Sequence, residues 1–287
     1  MFTTFQSTTT HRRDSGLDEE SPVVVDRKVK ALLNQLNHHH MDRFDSISDQ
    51  IIAWANKSVK ERDGRTLIQI IKLIFEGATD GEMFSEIYAL LCRKMMEGIS
   101  PEVQDHGIKN SKGKPFAGGN LFRKYLLNRC QEDFEQVWVA KEATAAAATK
   151  TAADKAVKEK TKGGEEESEL YSDEYHAAAK AKRRGLGLIR FIGELFKVKM
   201  LTERIMHECI KKLFGNVENP EDEEIESLCK LLITVGSLLD TPKARAHFDV
   251  YFSRMREFTK NKNVSVRMVS MLQVCTPIRI PSTNDID

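Results

Sequence analysis

Glycine and proline, the residues that most disturb helices, are scarce in this 287-residue chain, with Gly 16 and Pro 7. No apolar run approaches the ~18 to 20 residues that span a bilayer, and Met1 to Glu20 lacks the apolar core of a secretory leader. The five cysteines, Cys92, Cys130, Cys209, Cys229 and Cys275, are odd in number, far apart and without a C-x-x-C pair. That excludes a disulfide framework and a zinc knuckle and points to a reducing compartment, cytosol or nucleus. Charge of one sign is also missing: 44 Lys+Arg face 43 Asp+Glu, a net charge of +1. Any attraction for nucleic acid must therefore come from local patches.

What is abundant is helical periodicity. Leu67, Ile70, Ile71 and Ile74 fall at i, i+3, i+4 and i+7, and Phe84, Ile87, Tyr88, Leu91 and Met95 repeat the pattern after Thr79-Asp80-Gly81. Ile47, Ile51, Trp54 and Ala55 form a similar stripe, with Trp54 either a packing residue or a binding anchor. Pro220 with Glu221-Asp222-Glu223-Glu224 marks the start of a helix running through Leu239, acids lying at its positive end. Thr241 and Pro242 read as N-cap and first residue of the next, whose buried stripe is Phe248, Tyr251, Phe252 and Met255. No convincing strand alternation is present, so the chain reads all-α.

The predicted helices pair as 27–37 with 44–60, 64–79 with 82–98, 115–139 with 172–200, 203–214 with 222–240, and 243–261 with 264–273. Consecutive pairs of this length suit an α-solenoid, a single globular bundle being the alternative. Residues 1–25 are polar and aperiodic and are expected to be disordered. An Ala-, Lys- and Glu-rich stretch at about 140–170 reads as a flexible insertion within the third pair, and 274–287 as an irregular tail.

Enzymatic signatures fail at nameable positions. Gly113 to Asn120 has G-x-x-x-x-G but Gly119-Asn120 where a phosphate loop needs Lys-Ser/Thr, and His207-Glu208 is followed by Lys211 instead of a second zinc-binding imidazole. Gly98 to Glu102 lacks the last glycine of a nucleophile elbow, and Gly185-Leu186-Gly187 has Arg190 at the end of a dinucleotide fingerprint. His38-His39-His40 reads as an exposed turn. No catalytic, cofactor or metal residue is assigned. The informative feature is basic: Lys180, Lys182, Arg183, Arg184, Arg190, Lys197 and Lys199 run into the amphipathic Leu186 to Leu201. This is either a solvated face or a surface for phosphate backbone or an acidic partner. Phe191 and Phe196, beside the stripe Leu188, Ile192, Leu195 and Val198, are core or partner contacts.

Two strings, Asp45-Ser46-Ile47-Ser48-Asp49-Gln50-Ile51-Ile52 and Tyr125-Leu126-Leu127-Asn128-Arg129-Cys130-Gln131-Glu132-Asp133-Phe134-Glu135, closely resemble the middle domain of eukaryotic translation initiation factor 4 gamma. So do Lys182 to Phe196, Met200 to Cys209, and Leu228-Cys229-Lys230-Leu231-Leu232, with an insertion of fungal type before Tyr171. The resemblance covers roughly Val29 to Gln273 and implies a HEAT-type solenoid of about five antiparallel hairpins, an ARM-repeat-like superhelix over 26–273, with no active site. It implies a cytoplasmic translation-initiation scaffold that binds a DEAD-box RNA helicase, initiation factor 4A, and mRNA, with other initiation-complex components as further partners. In that role it favours the helicase's active arrangement during mRNA recruitment to the ribosome. The alternative is an RNA-processing or mRNA-decay adaptor of the same fold without helicase activation. Carried over residue by residue, partner contact falls on Arg183, Arg184, Arg190, Phe191 and Lys197.

Three departures from the family pattern carry expectations. The Tyr-x-x-x-x-Leu-Φ motif for the cap-binding subunit is absent from this chain, and Met1 to Asp26 holds no Trp, so one helicase-lobe contact is expected to be weaker. After Gln273, Pro277 and Pro281 stop the last helix, so the final hairpin is expected to be truncated and to expose the apolar face around Phe252 and Met255.

Overall fold

The first helix begins with proline: α1 (Pro22–His39) places Pro22 where a missing N–H leaves nothing unpaired. The Ser21 carbonyl accepts from the amides of Val24 and Val25 at 2.9 and 3.1 Å. Val24 and Val25 are buried, with Val29, Leu32, Leu33 and Leu36 continuing the stripe. Residues 22–25, expected to be disordered, are therefore the first turn of a packed helix, because the valine run has a face to bury against. The computed structural model describes residues 21–39, 41–80, 83–109, 111–136, 183–215 and 220–275. The disorder expected before residue 21, the insertion at about 140–170 and the tail from 276 lie outside the described residues.

Helix α2 (Phe44–Asn56) passes into a 3-10 turn, Lys57–Lys60, where one helix to residue 60 was expected. That turn builds the start of α3 (Arg65–Asp80): Ser58 Oγ accepts from the Leu67 amide at 3.1 Å, and the Glu61 carboxylate from the Thr66 amide and hydroxyl at 2.9 and 2.5 Å. Three donors at the helix start are thereby satisfied. Helix α4 (Ser85–Gly98) returns, with Ser85 Oγ donating to the Ala78 carbonyl at 3.2 Å.

A β-hairpin follows that the sequence did not announce: β1 (Gln104–Lys109) pairs antiparallel with β2 (Pro115–Ala117), with a register irregularity between Asp105 and Lys109. Helix α5 (described over 118–136) thus starts three residues later than expected, since 115–117 are strand. The hairpin is held from outside. Tyr125 on α5 donates its hydroxyl to Asp105 Oδ2 at 2.6 Å, the Gly107 amide donates to Asp105 Oδ1 at 2.7 Å, and the His106 amide donates to the Arg62 carbonyl at 3.1 Å. At its tip Gly113 has φ +74°, a conformation side-chain-bearing residues avoid.

The remaining helices are α6 (described over 183–197), α7 (Glu203–Leu213), α8 (Asp222–Leu239), α9 (Arg245–Phe258) and α10 (Val266–Cys275). Packing sorts all of them into two layers. In one, α1 meets α3, Phe75 of α3 meets Phe191 of α6, Gly193 of α6 meets Leu231 and Val235 of α8, and α8 meets α10. In the other, α2 meets α4, Gly119 of α5 lies against the Met96 carbonyl of α4, Cys130 of α5 neighbours Cys209 of α7, and His207 of α7 bonds Tyr251 of α9. The chain alternates between layers except at α4 and α5, which are neighbours in one layer, and the β-hairpin is the excursion joining them. This is an all-α, HEAT-like stack of helical pairs with one small β element among the described residues.

Two expectations at the C-terminal end need correction. Thr241 is not a helix cap: Pro242 to Ala244 form a turn, the Ala244 amide donates to the Thr241 carbonyl at 2.9 Å, and α9 starts at Arg245 with Ala244 as its N-cap. The Thr241 hydroxyl is buried without a hydrogen-bond partner. Phe252 and Met255, expected to be exposed, are buried, because α10 extends through Cys275 and buries Met268, Leu272 and Cys275.

Candidate partner-binding surface

Helix α6 is fixed by a close approach. A Cβ on Gly187 would lie 2.5 Å from the Thr79 carbonyl oxygen, so only glycine lets α6 come this near the end of α3. One helical turn on, the Phe191 ring stands edge-on to Phe75, with centroids 5.2 Å apart at 88°. Leu188, Ile189, Ile192 and Leu195 complete the buried side. At the far end Lys199 has φ +62°, with the Lys199 amide donating to the Phe196 carbonyl and the Met200 amide to the Leu195 carbonyl, both at 2.9 Å. This is a Schellman cap with lysine where glycine is usual. Arg123 of α5 donates to the Met200 carbonyl at 3.1 Å and ties that turn to the neighbouring layer.

The outward side carries the predicted basic residues, but not all of them. Arg183, Arg190 and Lys197 are seven residues apart and share one face, with Arg183 and Lys197 exposed and Arg190 half-buried and engaged by its surroundings. Lys197 Nζ is 2.7 Å from the carboxylate of Glu194, itself buried. Arg184 is exposed but turned about 100° from that stripe by the helical pitch of about 3.6 residues per turn. Phe191 has no exposed surface and leaves the contact set: it positions α6 against α3. Exposed Ile68 on α3 and Ile233 on α8 belong to helices of the same layer.

On the other layer a cluster escaped sequence reasoning. His207 Nδ1 lies 2.9 Å from the Tyr251 hydroxyl, the His207 and His247 rings are 4.7 Å apart, and Tyr251 stacks on Phe214 at 5.7 Å. Burial, reinforced by His247, lowers the His207 pKa, and burial pushes Tyr251 up to about 12. The spacing of His247 and Tyr251 puts both on one face of α9, a signal that was readable; that α7 supplies the third member is tertiary information. Trp54 is half-buried with Lys57 Nζ 3.7 Å above its ring, a packing position covered by a cation. Among the described residues no group of three or more His, Cys, Asp or Glu could hold a metal ion, and no helix is long and apolar enough to cross a membrane. Of the three histidines 38–40, His38 is exposed, while the side chain of His39 and all of His40 lie outside the described residues.

Comparison with known proteins finds translation initiation factors. The eukaryotic translation initiation factor 4 gamma of Schizosaccharomyces pombe is 52% identical over 261 residues, covering 90% of this chain and 17% of that protein. The eukaryotic translation initiation factor 4G of Triticum aestivum is 39% identical over 262 residues, covering 91% of this chain and 15% of that protein. The eukaryotic initiation factor 4F subunit p130 of Saccharomyces cerevisiae is 41% identical over 224 residues, covering 76% and 22%. The chain thus spans between 15% and 22% of the length of these curated relatives. Among solved structures, the MIF4G domain of Trypanosoma cruzi translation initiation factor EIF4G5 matches with a TM-score of 0.49 at 17% identity, covering 88% of this chain and 93% of that one. The MIF4G domain matches residues 26–282, nearly the whole chain, and on that extent this chain belongs to the MIF4G domain family.

Proposed function

We propose that this chain is a translation-initiation scaffold domain that works in the cytoplasm, binds the DEAD-box RNA helicase initiation factor 4A and RNA, and promotes the helicase's active arrangement while catalysing nothing itself. The observation that carries the reading is the 52% identity to an initiation factor 4 gamma over 90% of the chain. The surface supports it: Arg183, Arg190 and Lys197 stand in one stripe on a helix locked between α3 and α8, two helices that expose Ile68 and Ile233. A rigid face mixing charge with apolar area suits a protein partner. The scaffold acts by population shift, binding the productive lobe arrangement of the helicase better than the others.

The test is the RNA-stimulated ATPase of the helicase with and without this chain, the chain first being shown to be helical by circular dichroism. Stimulation is expected, together with its reduction by Arg183→Glu with Arg184→Glu at unchanged helical content. A folded chain that leaves the ATPase unchanged sinks the helicase reading and favours an adaptor of RNA processing or decay.

A further inference from the structure

Two of the five cysteines meet at the C-terminal end of the stack. Cys275, inside the stretch expected to be an irregular tail, closes α10, and Cys229 lies in α8; both are buried. The Cys275 thiol donates to the Cys229 carbonyl, Sγ to oxygen 3.8 Å, and the two thiols are also hydrogen-bonded to each other. That mutual bond lowers the pKa of Cys275 from the ordinary thiol range and, together with burial, raises that of Cys229. The thiolate is the reactive form, so Cys275 is the nucleophile of the two. Cys275 also forms part of the wall of a cavity of about 30 Å³, with Ser237, Asp240 and Phe252. One water needs about 10 to 15 Å³ of such space, so a molecule with two oxygen atoms fits. The other three thiols differ: burial is the main cause that raises Cys92 and Cys130, and Cys209 to about 12, which keeps them protonated and inert.

We infer that Cys229 and Cys275 are a redox-active thiol pair, which hydrogen peroxide converts into a disulfide that fastens α10 to α8. The inference is independent of the function proposed above. Neither side chain reaches bulk water, so the oxidant arrives through the cavity beside Cys275. The Cys275 sulfur attacks one peroxide oxygen: an S–O bond forms, the O–O bond breaks, and the leaving hydroxide takes the thiol proton as water. The Cys229 sulfur then attacks the sulfenic sulfur: the S–S bond forms, the S–O bond breaks, and the hydroxyl leaves with the Cys229 proton as a second water. Two thiols lose two electrons in all, and one peroxide is reduced to two waters. Disulfides formed in reducing compartments are usually of this transient, sensing kind. The consequence is mechanical. Helix α10 is what buries Phe252 and Met255, so the cross-link fixes the cover of the last helical pair.

The experiment exposes the reduced full chain to hydrogen peroxide, blocks the remaining thiols with an alkylating reagent and maps the peptides by mass spectrometry. A cross-linked peptide joining Cys229 and Cys275 is expected, with Cys92, Cys130 and Cys209 alkylated. Tm should rise by ~4 to 16 °C, the usual effect of a disulfide in a chain of this size, and dithiothreitol should reverse it. Cys229→Ala should halt the reaction at a Cys275 sulfenic acid captured by dimedone, whereas Cys275→Ala should leave Cys229 reduced. Alkylation of both Cys229 and Cys275 after peroxide, or sulfinic groups on them without a cross-link, overturns the pair, as does a disulfide between other cysteines. Dimedone on Cys229 of the Cys275→Ala chain overturns the assignment of Cys275 as the attacking sulfur. The peptide map of the parent chain needs no substitution, so it decides the matter even where a variant misfolds.

Discussion

Two glycine-to-alanine substitutions, chemically identical, are expected to move stability in opposite directions. At Gly187 the new methyl would meet backbone atoms of Thr79, the carbonyl oxygen at 2.5 Å and Cα at 3.0 Å. Neither can rotate away, so α6 has to separate from α3 and disturb the Phe75–Phe191 contact. Overpacking of this kind costs about 3 kcal/mol at the upper end of its usual range, against a gain of about 1 kcal/mol from the better helix propensity of alanine. Gly187→Ala should therefore lose about 2 kcal/mol, or ~4 to 8 °C in Tm at ~2 to 4 °C per kcal/mol. At Gly236, inside α8, an added Cβ meets nothing within 4 Å, the position bordering a small cavity of about 30 Å³ with Phe248, Phe252 and Cys275. There the propensity gain stands alone, and Gly236→Ala should raise Tm by ~2 to 4 °C. Calorimetry on both variants checks the pair. A Gly187→Ala protein as stable as its parent would show that α6 and α3 are not in backbone contact and would remove the basis for calling the stripe rigid.

Other consequences follow from single positions. Phe191→Ala should cost about 3 to 5 kcal/mol in chemical denaturation, the range for emptying a large aromatic site, whereas Arg183→Glu should leave the denaturation midpoint unchanged; equal effects would contradict their opposite burial. Lys199→Gly should stabilise by about 1 kcal/mol, since an L-residue at φ +62° carries the strain that glycine lacks; a lower midpoint would refute the Schellman assignment. The depressed pKa of His207 means that the unfolded chain binds a proton at higher pH than the folded one. The contribution of neutral His207 to stability is thus fully present above the ordinary histidine range near 6.5 and is lost as pH falls through it towards the lowered folded value. His207→Gln should flatten that part of the stability curve, and an unchanged acid limb would show that the ring is not desolvated.

Much of the helical stack was legible because burial and period coincide. Leu67, Ile70, Ile71 and Ile74 are all buried, as are Ile87, Tyr88, Leu91 and Met95, and Phe248, Tyr251, Phe252 and Met255. Each stripe has one side to cover, and the helical period is the only arrangement that covers it. The β-hairpin was not legible, because Gln104 to Lys109 holds glycine, charge and one isoleucine, and what fixes it as strand lies far along the chain: Tyr125 on α5 and the Arg62 carbonyl. Thr241-Pro242 misled for a related reason. A cap-like pair also suits a turn, and only the position of Ala244 distinguishes the two. For the candidate surface, the sequence supplied the cations but not their directions, so Phe191 was grouped with Arg183 and Arg190 although it faces inward. The Gly187 approach to Thr79 is what rotates α6 and decides which of them meet solvent.

Rigidity of that helix is a requirement of the proposed mechanism. Moving a two-state partner from 1:99 to 99:1 takes about 5.5 kcal/mol of differential binding. A scaffold whose presenting helix yields for less than this deforms to fit the unproductive arrangement and selects nothing. Helix α6 buries Leu188, Ile189, Phe191, Ile192 and Leu195, each contributing about 1.5 to 3 kcal/mol on burial. Together these hold α6 by roughly 8 to 15 kcal/mol, or about 5 to 14 kcal/mol after the reduction of about 10 to 40% for a compact unfolded chain, which over most of that range exceeds the differential it has to transmit. The stripe is therefore stiff enough to select between partner conformations, and weakening its seat should reduce helicase stimulation before it reduces helicase binding.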